Sequence, residues 1–220
     1  MLIVHHLQRS QSDRIVWLCE ELGLNYELRT YKRSPFLSPP ELQALHPTKA
    51  APIIQDGAIT LGESGAITEY ILTKYGDGRL SIAATAPNYA DYLYFLHFAN
   101  GYFQPALMRY GLVLKAGISD EVLNAKLARR GMQQSLQILE DRLRGNTWLA
   151  GEEFTAADVM VVTTLTTMRL FVPYSLQGYE AIMAYLGRVV EREAYRRALE
   201  KGDPGLEPVV GGGGGEGLCI

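Results

Sequence analysis

The sequence predicts an α/β unit followed by an all-α unit, and three observations carry that expectation. Up to about residue 75, short apolar runs of strand character alternate with segments of helical apolar period. Asp56-Gly57 separates two of the strand-like runs, and this dipeptide closes tight hairpins. Beyond Pro87 strand signals fade and long helical periods take over.

Taken in order, Leu2 to Leu7 reads as a short, mostly buried strand. Ile15, Leu18, Cys19 and Leu22 then fall on one helical face, and Gly23 supplies the stop. Tyr26 to Tyr31 reads as a second strand, so the strand-helix-strand order predicts a parallel pair. Ser38 to Leu45 is expected as a short helix, with Ser38 as its cap and prolines in its first turn. Pro52 to Gln55 and Ala58 to Leu61 flank the hairpin dipeptide and should pair antiparallel. A helix from about Ser64 to Tyr75 completes a βαβαββα order, a mixed sheet of four strands.

Gly76 to Pro87 has the composition of a linker. Tyr89, Tyr92, Leu93, Leu96 and Phe103 then lie along one helix, Ala125 to Leu143 along another, and Ile182 to Val190 along a third. Thr155-Ala156-Ala157-Asp158 is a capping box, with Phe154 and Val159 placed as its hydrophobic staple. The expected boundaries are 1–78 for the α/β domain, 87–201 for the helical domain and 202–220 for a flexible, glycine-rich tail.

Composition removes several classes of function. With 47% hydrophobic and 20% charged residues, the 220-residue chain can bury a core and is not disordered. A net charge of -3 leaves no basic footprint for nucleic acid or an anionic membrane. No apolar run spans a bilayer, and Met1 to Ser10 lacks the order of a secretory signal. Cys19 and Cys219 form neither a disulfide framework nor a redox pair, and no Cys/His cluster has zinc spacing. The expectation is a cytoplasmic protein without a metal.

Four features of the first domain are candidates for chemistry. Ser10 lies between the first strand and the first helix. It either pairs with Asp13 as a capping box or aims its hydroxyl at a ligand over a helix N-terminus, and Ser12 competes for the cap. Ala51-Pro52 in a cis turn would present its main chain to an extended peptide. Glu63-Ser64 heads the next helix, where Ser64 either caps or joins Glu63 in holding the charges of an amino-acid head group. His5 and His6 are adjacent on a strand and point to opposite faces, so they cannot chelate one ion together. They read as core or surface histidines, as do His46 and His97.

Together these segments resemble the glutathione transferase family. The resemblance rests on Ser10 to Glu27, on Pro39-Pro40-Glu41-Leu42 with His46-Pro47 and Ala51-Pro52, on Leu61 to Ile67, and on Phe154 to Asp158. It runs from Met1 to about Lys201 and implies a thioredoxin-like N-terminal domain followed by a helical bundle. It further implies that Ala51 and Pro52 meet the cysteinyl part of glutathione, that Glu63 and Ser64 hold the γ-glutamyl head group, that Ser10 donates to the sulfur, and that Gln11 is among the glutathione-binding residues. Lys49 stands nearest the position that meets the glycine carboxylate, one place before Ala50, where relatives often carry a longer polar residue. Asn100 replaces an acidic residue common in relatives, and Arg9 stands where a small polar residue is usual.

On this resemblance a small apolar electrophile is the second substrate, the chain is a homodimer, and glutathione is the only cofactor. Tyr102, Phe103, Leu107 and Tyr110, with Phe171 further along, would line the electrophile pocket. A free thiol of pKa ~8.5 is only a few per cent ionised near neutrality. A charge-assisted hydrogen bond of ~1.5–3 kcal/mol and a helix N-terminus of ~0.3–1 would lower that value by one to two units. The rival expectations are a glutathione-dependent isomerase, peroxidase or ether-cleaving enzyme, and a non-catalytic binding module of the same fold.

Overall fold

The computed structural model describes residues 1–34 and 37–213. The chain divides into two units. One comprises Met1–Ala83 with Val189–Pro208, and the other comprises Ala84–Arg188 with residues 209–213.

The first unit is built on a four-stranded sheet. Its strands are β1 (Leu2–Leu7), β2 (Tyr26–Tyr31), β3 (Ile53–Asp56) and β4 (Ile59–Gly62), in the order β2-β1-β3-β4. β1 runs parallel to β2, with Leu2 opposite Tyr26 and Leu7 opposite Tyr31. It runs antiparallel to β3, which turns back into β4 through Asp56-Gly57. Val4, Ile53 and Ile54 on the central strands are fully buried, whereas β2 and β4 are edges and stay partly exposed. The helices of this part are α1 (Asp13–Glu21), the single turn α2 (Pro40–Gln43) and α3 (Ser64–Tyr75). Two of the expected caps are replaced. Pro39 rather than Ser38 caps α2, and Glu63 rather than Ser64 caps α3.

One further helix belongs to this unit, α9 (Glu193–Gly202). It was expected inside the 87–201 helical domain, but its partners are on α1. Arg192 makes a two-pronged bond to Glu21 at 2.6 and 2.7 Å, and Lys201 and Arg197 reach Glu20 at 2.6 and 3.2 Å. The Tyr195 ring meets Trp17 edge-on at 4.9 Å. These contacts explain why α1 is buried continuously from Arg14 to Glu20 instead of along one stripe. Cys19 lies fully inside, where burial pushes its thiol pKa far up and leaves it inert.

A polar cluster joins β3 to α3. The Asp56 carboxylate accepts from Lys74 Nζ at 2.6 Å, from Tyr75 and from Tyr70 at 2.9 Å, and Lys74 first, then Tyr75, hold its pKa down to about 2. The unfolded carboxyl titrates near ~3.9, so this contribution is present above that pH and is lost as pH falls toward 2. Asp56→Asn should therefore be less stable than wild type at neutral pH, and the difference should shrink between pH ~4 and ~2. Urea denaturation across that range measures it.

The second unit is helical: α4 (Tyr89–Phe98), α5 (Gln104–Lys115), α6 (Leu123–Arg144), α7 (Ala156–Leu165) and α8 (Glu180–Glu191), whose last turn crosses into the first unit. The single helix expected from Tyr89 to Phe103 is interrupted by a π-helical turn, Ala99–Phe103, before α5 begins. All ten residues of α7 are buried, so its start must satisfy its own donors. Thr155 and Asp158 form the expected capping box, and Asp158 also accepts from Leu149 N–H at 3.0 Å and Tyr185 O–H at 3.1 Å. The buried Glu140 carboxylate accepts from the Ala181 and Ile182 amides at 3.2 and 3.1 Å, an anion at the N-terminus of α8.

The glycine-rich end is only partly a tail. Residues 214–220 lie outside the described residues. Before them Asp203 is buried, the Gly212 carbonyl accepts from Leu176 N–H at 2.9 Å, and Arg169 donates to the carbonyls of Val209 and Gly213. Among the described residues no helix is long and apolar enough to cross a membrane.

Candidate active site

Three pieces of the first unit converge on the opening turn of α1. Ser10 lies in the loop from β1, 6% exposed, and its Oγ accepts from Ser12 N–H at 3.2 Å. The Ser10–Asp13 capping box is absent; Asp13 N–H bonds the Ser10 carbonyl at 3.1 Å, and Ser12 is the N-cap without a side-chain cap bond. The Ser10 hydroxyl thus engages the N-cap residue itself, through its N–H and, at 2.7 Å, its Oγ, and bonds no amide further into the helix.

Gln11, next in sequence, donates from Nε2 to the Ala51 carbonyl at 3.3 Å. The Ala51-Pro52 peptide is cis. Gln11 thus ties the α1 loop to this corner, and the Ala51 carbonyl, expected to face outward, is held by that bond. Lys49, two residues earlier, is exposed at a left-handed φ of 54°.

Arg14, one turn into α1, reaches the third piece. Its guanidinium is fully buried and donates from one NH group to Ser64 Oγ at 3.2 Å. Burial lowers its pKa to about 10, against the raising influence of Asp13 and Glu63, so it is a cation at neutral pH. Glu63 is exposed at φ 72°, and its carboxylate accepts from Gly65 N–H at 3.1 Å. The corner before it is tight: a Cβ on Gly62 would lie 2.8 Å from His46 Cε1. Arg9 (φ 54°), Lys49 and Glu63 all hold left-handed backbones that favour glycine, and such strain gathers at ligand-binding loops.

Arg14 was not singled out in the sequence, because an arginine after a loop reads as ordinary helix surface. His6 was read as a core or surface histidine. It is fully buried, but its Nδ1 lies 2.9 Å from Ser12 Oγ and its Nε2 lies 3.1 Å from Asp203 Oδ2. His5, on the opposite face, bonds Tyr31 and Gln55 at 2.9 and 3.0 Å, and burial lowers its pKa.

The residues expected around the electrophile separate by exposure. Phe103 and Leu107 are fully buried, with Phe103 stacked 6.0 Å from Phe98, so they are core of the second unit and not pocket lining. Tyr102 is 38% exposed and Tyr110 is partly exposed beneath Arg129, 5.5 Å from its ring. Among the described residues no group of three or more His, Cys, Asp or Glu could hold a metal ion.

A four-stranded βαβαββα sheet unit with a cis-proline before its third strand, continued by a helical unit, is the thioredoxin-like arrangement of glutathione-binding enzymes. Residues 4–79 match the glutathione S-transferase N-terminal domain model and residues 103–193 the C-terminal domain model. Glutathione S-transferase 3 of Schizosaccharomyces pombe is 29% identical over 214 residues, covering 91% of this chain and 88% of the relative. The crystal structure of a glutathione S-transferase from Actinobacillus pleuropneumoniae is 33% identical and superposes with a TM-score of 0.84, covering 94% of this chain and 95% of that one. A glutathione transferase from Phanerochaete chrysosporium in complex with oxidized glutathione shares the fold at 21% identity, with a TM-score of 0.74 and coverage of 91% and 95%. The chain belongs to the glutathione S-transferase family.

Proposed function

We propose that this protein binds glutathione on its first unit and transfers it, as a thiolate stabilised by Ser10, to a small apolar electrophile. The observation that carries this reading is the convergence at α1. The Ser10 hydroxyl stands against Ser12, the N-cap of α1, while Gln11 and Arg14 draw the Ala51-Pro52 corner and the Glu63-Ser64 helix start to the same turn. In this reading Ser10 donates to the sulfur, Ala51 and Pro52 meet the cysteinyl segment, and Glu63 takes the ammonium. Ser64 with the first amides of α3 takes the carboxylate, oriented by Arg14. Lys49, exposed beside the corner, meets the glycine carboxylate. Tyr102 is the candidate aromatic contact for the electrophile, and the working form is a cytoplasmic homodimer.

The chemistry follows from charge stabilisation. Ser10 need not lose its own proton; it favours the ionised sulfur by hydrogen bonding to it, and the thiolate is the nucleophile. The test is to load the protein with glutathione and follow thiolate ultraviolet absorbance against pH. The expected result is a bound thiol pKa one to two units below the free value of ~8.5. Binding without a shift would make this a non-catalytic module, and no binding would overturn the reading altogether. An electrophile panel against peroxide, isomerisation and ether substrates then separates transferase from the related activities.

A further inference from the structure

We propose that His6, backed by Asp203, is the group that accepts the glutathione thiol proton, delivered through the hydroxyls of Ser10 and Ser12. The inference rests on the reading of Ser10 as the thiol-facing residue and adds where the proton goes. The four groups form a continuous buried chain. Ser10 Oγ is 2.7 Å from Ser12 Oγ, Ser12 Oγ is 2.9 Å from His6 Nδ1, and His6 Nε2 is 3.1 Å from Asp203 Oδ2. Asp203 Oδ1 is held by Arg9 N–H at 2.9 Å, which aims the other oxygen at the ring. Gly202 allows the close approach: a Cβ there would lie 3.0 Å from His6 Nε2.

Donor counting assigns the protons. An ionised carboxylate only accepts, so His6 Nε2 carries a hydrogen toward Asp203, and the neutral ring then accepts at Nδ1. At rest Ser12 O–H donates to Nδ1, the nearer of its two acceptors at 2.9 Å against 3.2 Å to the Leu7 carbonyl, while Ser12 Oγ accepts from Leu7 N–H at 3.0 Å and from Ser10 O–H. Ser10 Oγ accepts from Ser12 N–H and keeps one lone pair for an S–H donor. When the S–H bond breaks, its proton bonds to Ser10 Oγ, the Ser10 proton moves to Ser12 Oγ, and the Ser12 proton moves to His6 Nδ1. The products are a thiolate and an imidazolium, with every hydroxyl restored and no net change in charge. All bonds in the chain are then reversed: Nδ1–H donates to Ser12, Ser12 to Ser10, and Ser10 to the sulfur. Every donor and acceptor named is satisfied in both states, so the chain has two complete arrangements. After the thiolate forms its bond to carbon and the leaving group departs with the electron pair, the imidazolium proton returns to water by the same path. The charges around the ring are Asp203, 3.1 Å from Nε2, and Arg33 and Arg9 beyond it; Arg33 donates to the Arg9 carbonyl at 2.8 Å and interacts with Asp203.

The experiment measures two quantities on the full chain loaded with glutathione near neutral pH: thiolate formed, by absorbance, and protons released to solvent, by a pH indicator. Wild type should release well under one proton per thiolate. His6→Asn, Asp203→Asn and Ser12→Ala should each raise the bound thiol pKa by about one unit, roughly tenfold less thiolate at a pH below both values. Thiolate formed above the raised pKa should then release one proton each. Release of one proton per thiolate by wild type overturns the relay, as does an unchanged thiol pKa in both His6→Asn and Asp203→Asn. If those buried variants fail to fold, judged by circular dichroism, the wild-type proton count decides alone. An intact pKa shift that Ser10→Ala removes, alongside an overturned relay, leaves the transferase reading standing. Failure to bind glutathione removes both.

Discussion

Asp158→Ala should lower stability by about 3–5 kcal/mol, the largest effect expected from a single substitution here. The carboxylate is fully buried and accepts from Leu149 N–H, Thr155 N–H, Thr155 Oγ1 and Tyr185 O–H at 2.9–3.3 Å. Removing it leaves these donors in the interior without their acceptor, at about 1–3 kcal/mol for each buried one, and removes half of a capping box. At about 2–4 °C per kcal/mol for a chain of this size, the thermal midpoint should fall by roughly 6–20 °C. The pH dependence has a definite sign. Burial raises the Asp158 pKa to about 6, against the four bonds that lower it. The unfolded group releases its proton near ~3.9, so between these values the folded state binds more protons and its stability falls as pH rises. Wild type should therefore lose stability relative to Asp158→Asn from pH ~4 to ~6, and then level off. Chemical denaturation of both proteins across that window checks the sign; a rising difference would contradict it.

Ser10→Ala should raise the pKa of the bound glutathione thiol by one to two units and lower kcat/KM at neutral pH by roughly 8- to 25-fold, the full tenfold per unit in thiolate applying only below both pKa values. The charge-assisted hydrogen bond to the ionised sulfur is stronger than the weak S–H bond that Ser10 accepts from the neutral thiol, so glutathione affinity should fall less at low pH, where the thiol is neutral, than at neutral pH. Ser12→Ala should act more weakly, since Ser12 Oγ is fully buried among His6, Leu7 and Ser10 and reaches the sulfur only through Ser10. A full shift on Ser12→Ala with none on Ser10→Ala would move the activating hydroxyl to position 12. Ser10→Thr, which keeps an oxygen at the same carbon, should recover part of the shift.

The architecture was legible because its signals are local. The hairpin at Asp56-Gly57, the capping box at Thr155 and the helical period of α1 each lie within a few residues, and each was found at or within a residue or two of its expected place. The site was legible in part through the resemblance, which pointed to Ser10, Ala51, Glu63 and Ser64 without locating the bonds that assemble them. The misreadings share a cause. Phe103 and Leu107 carry an apolar pattern that is the same for a pocket and a core, and only their burial separates the two. Ser38 and Ser64 are good caps by residue type, but Pro39 already holds the extended cap backbone, and the Glu63 carboxylate takes the first amide of α3 from a left-handed backbone. α9 was assigned by proximity in the chain, whereas Glu20 and Glu21 on α1 draw it to the first unit.

By itself the sequence determined the order of elements, the cap of α7 and the hydroxyl at the head of α1, set by propensity, periodicity or a few neighbouring donors; the cis-proline corner came only with the resemblance. Tertiary structure alone decided that Asp203 would stand against His6, 197 residues away along the chain. No local pattern encodes that pairing. It exists because ion pairs and the Trp17–Tyr195 contact dock α9 on α1, and because Gly202 has no side chain to hold the ring away.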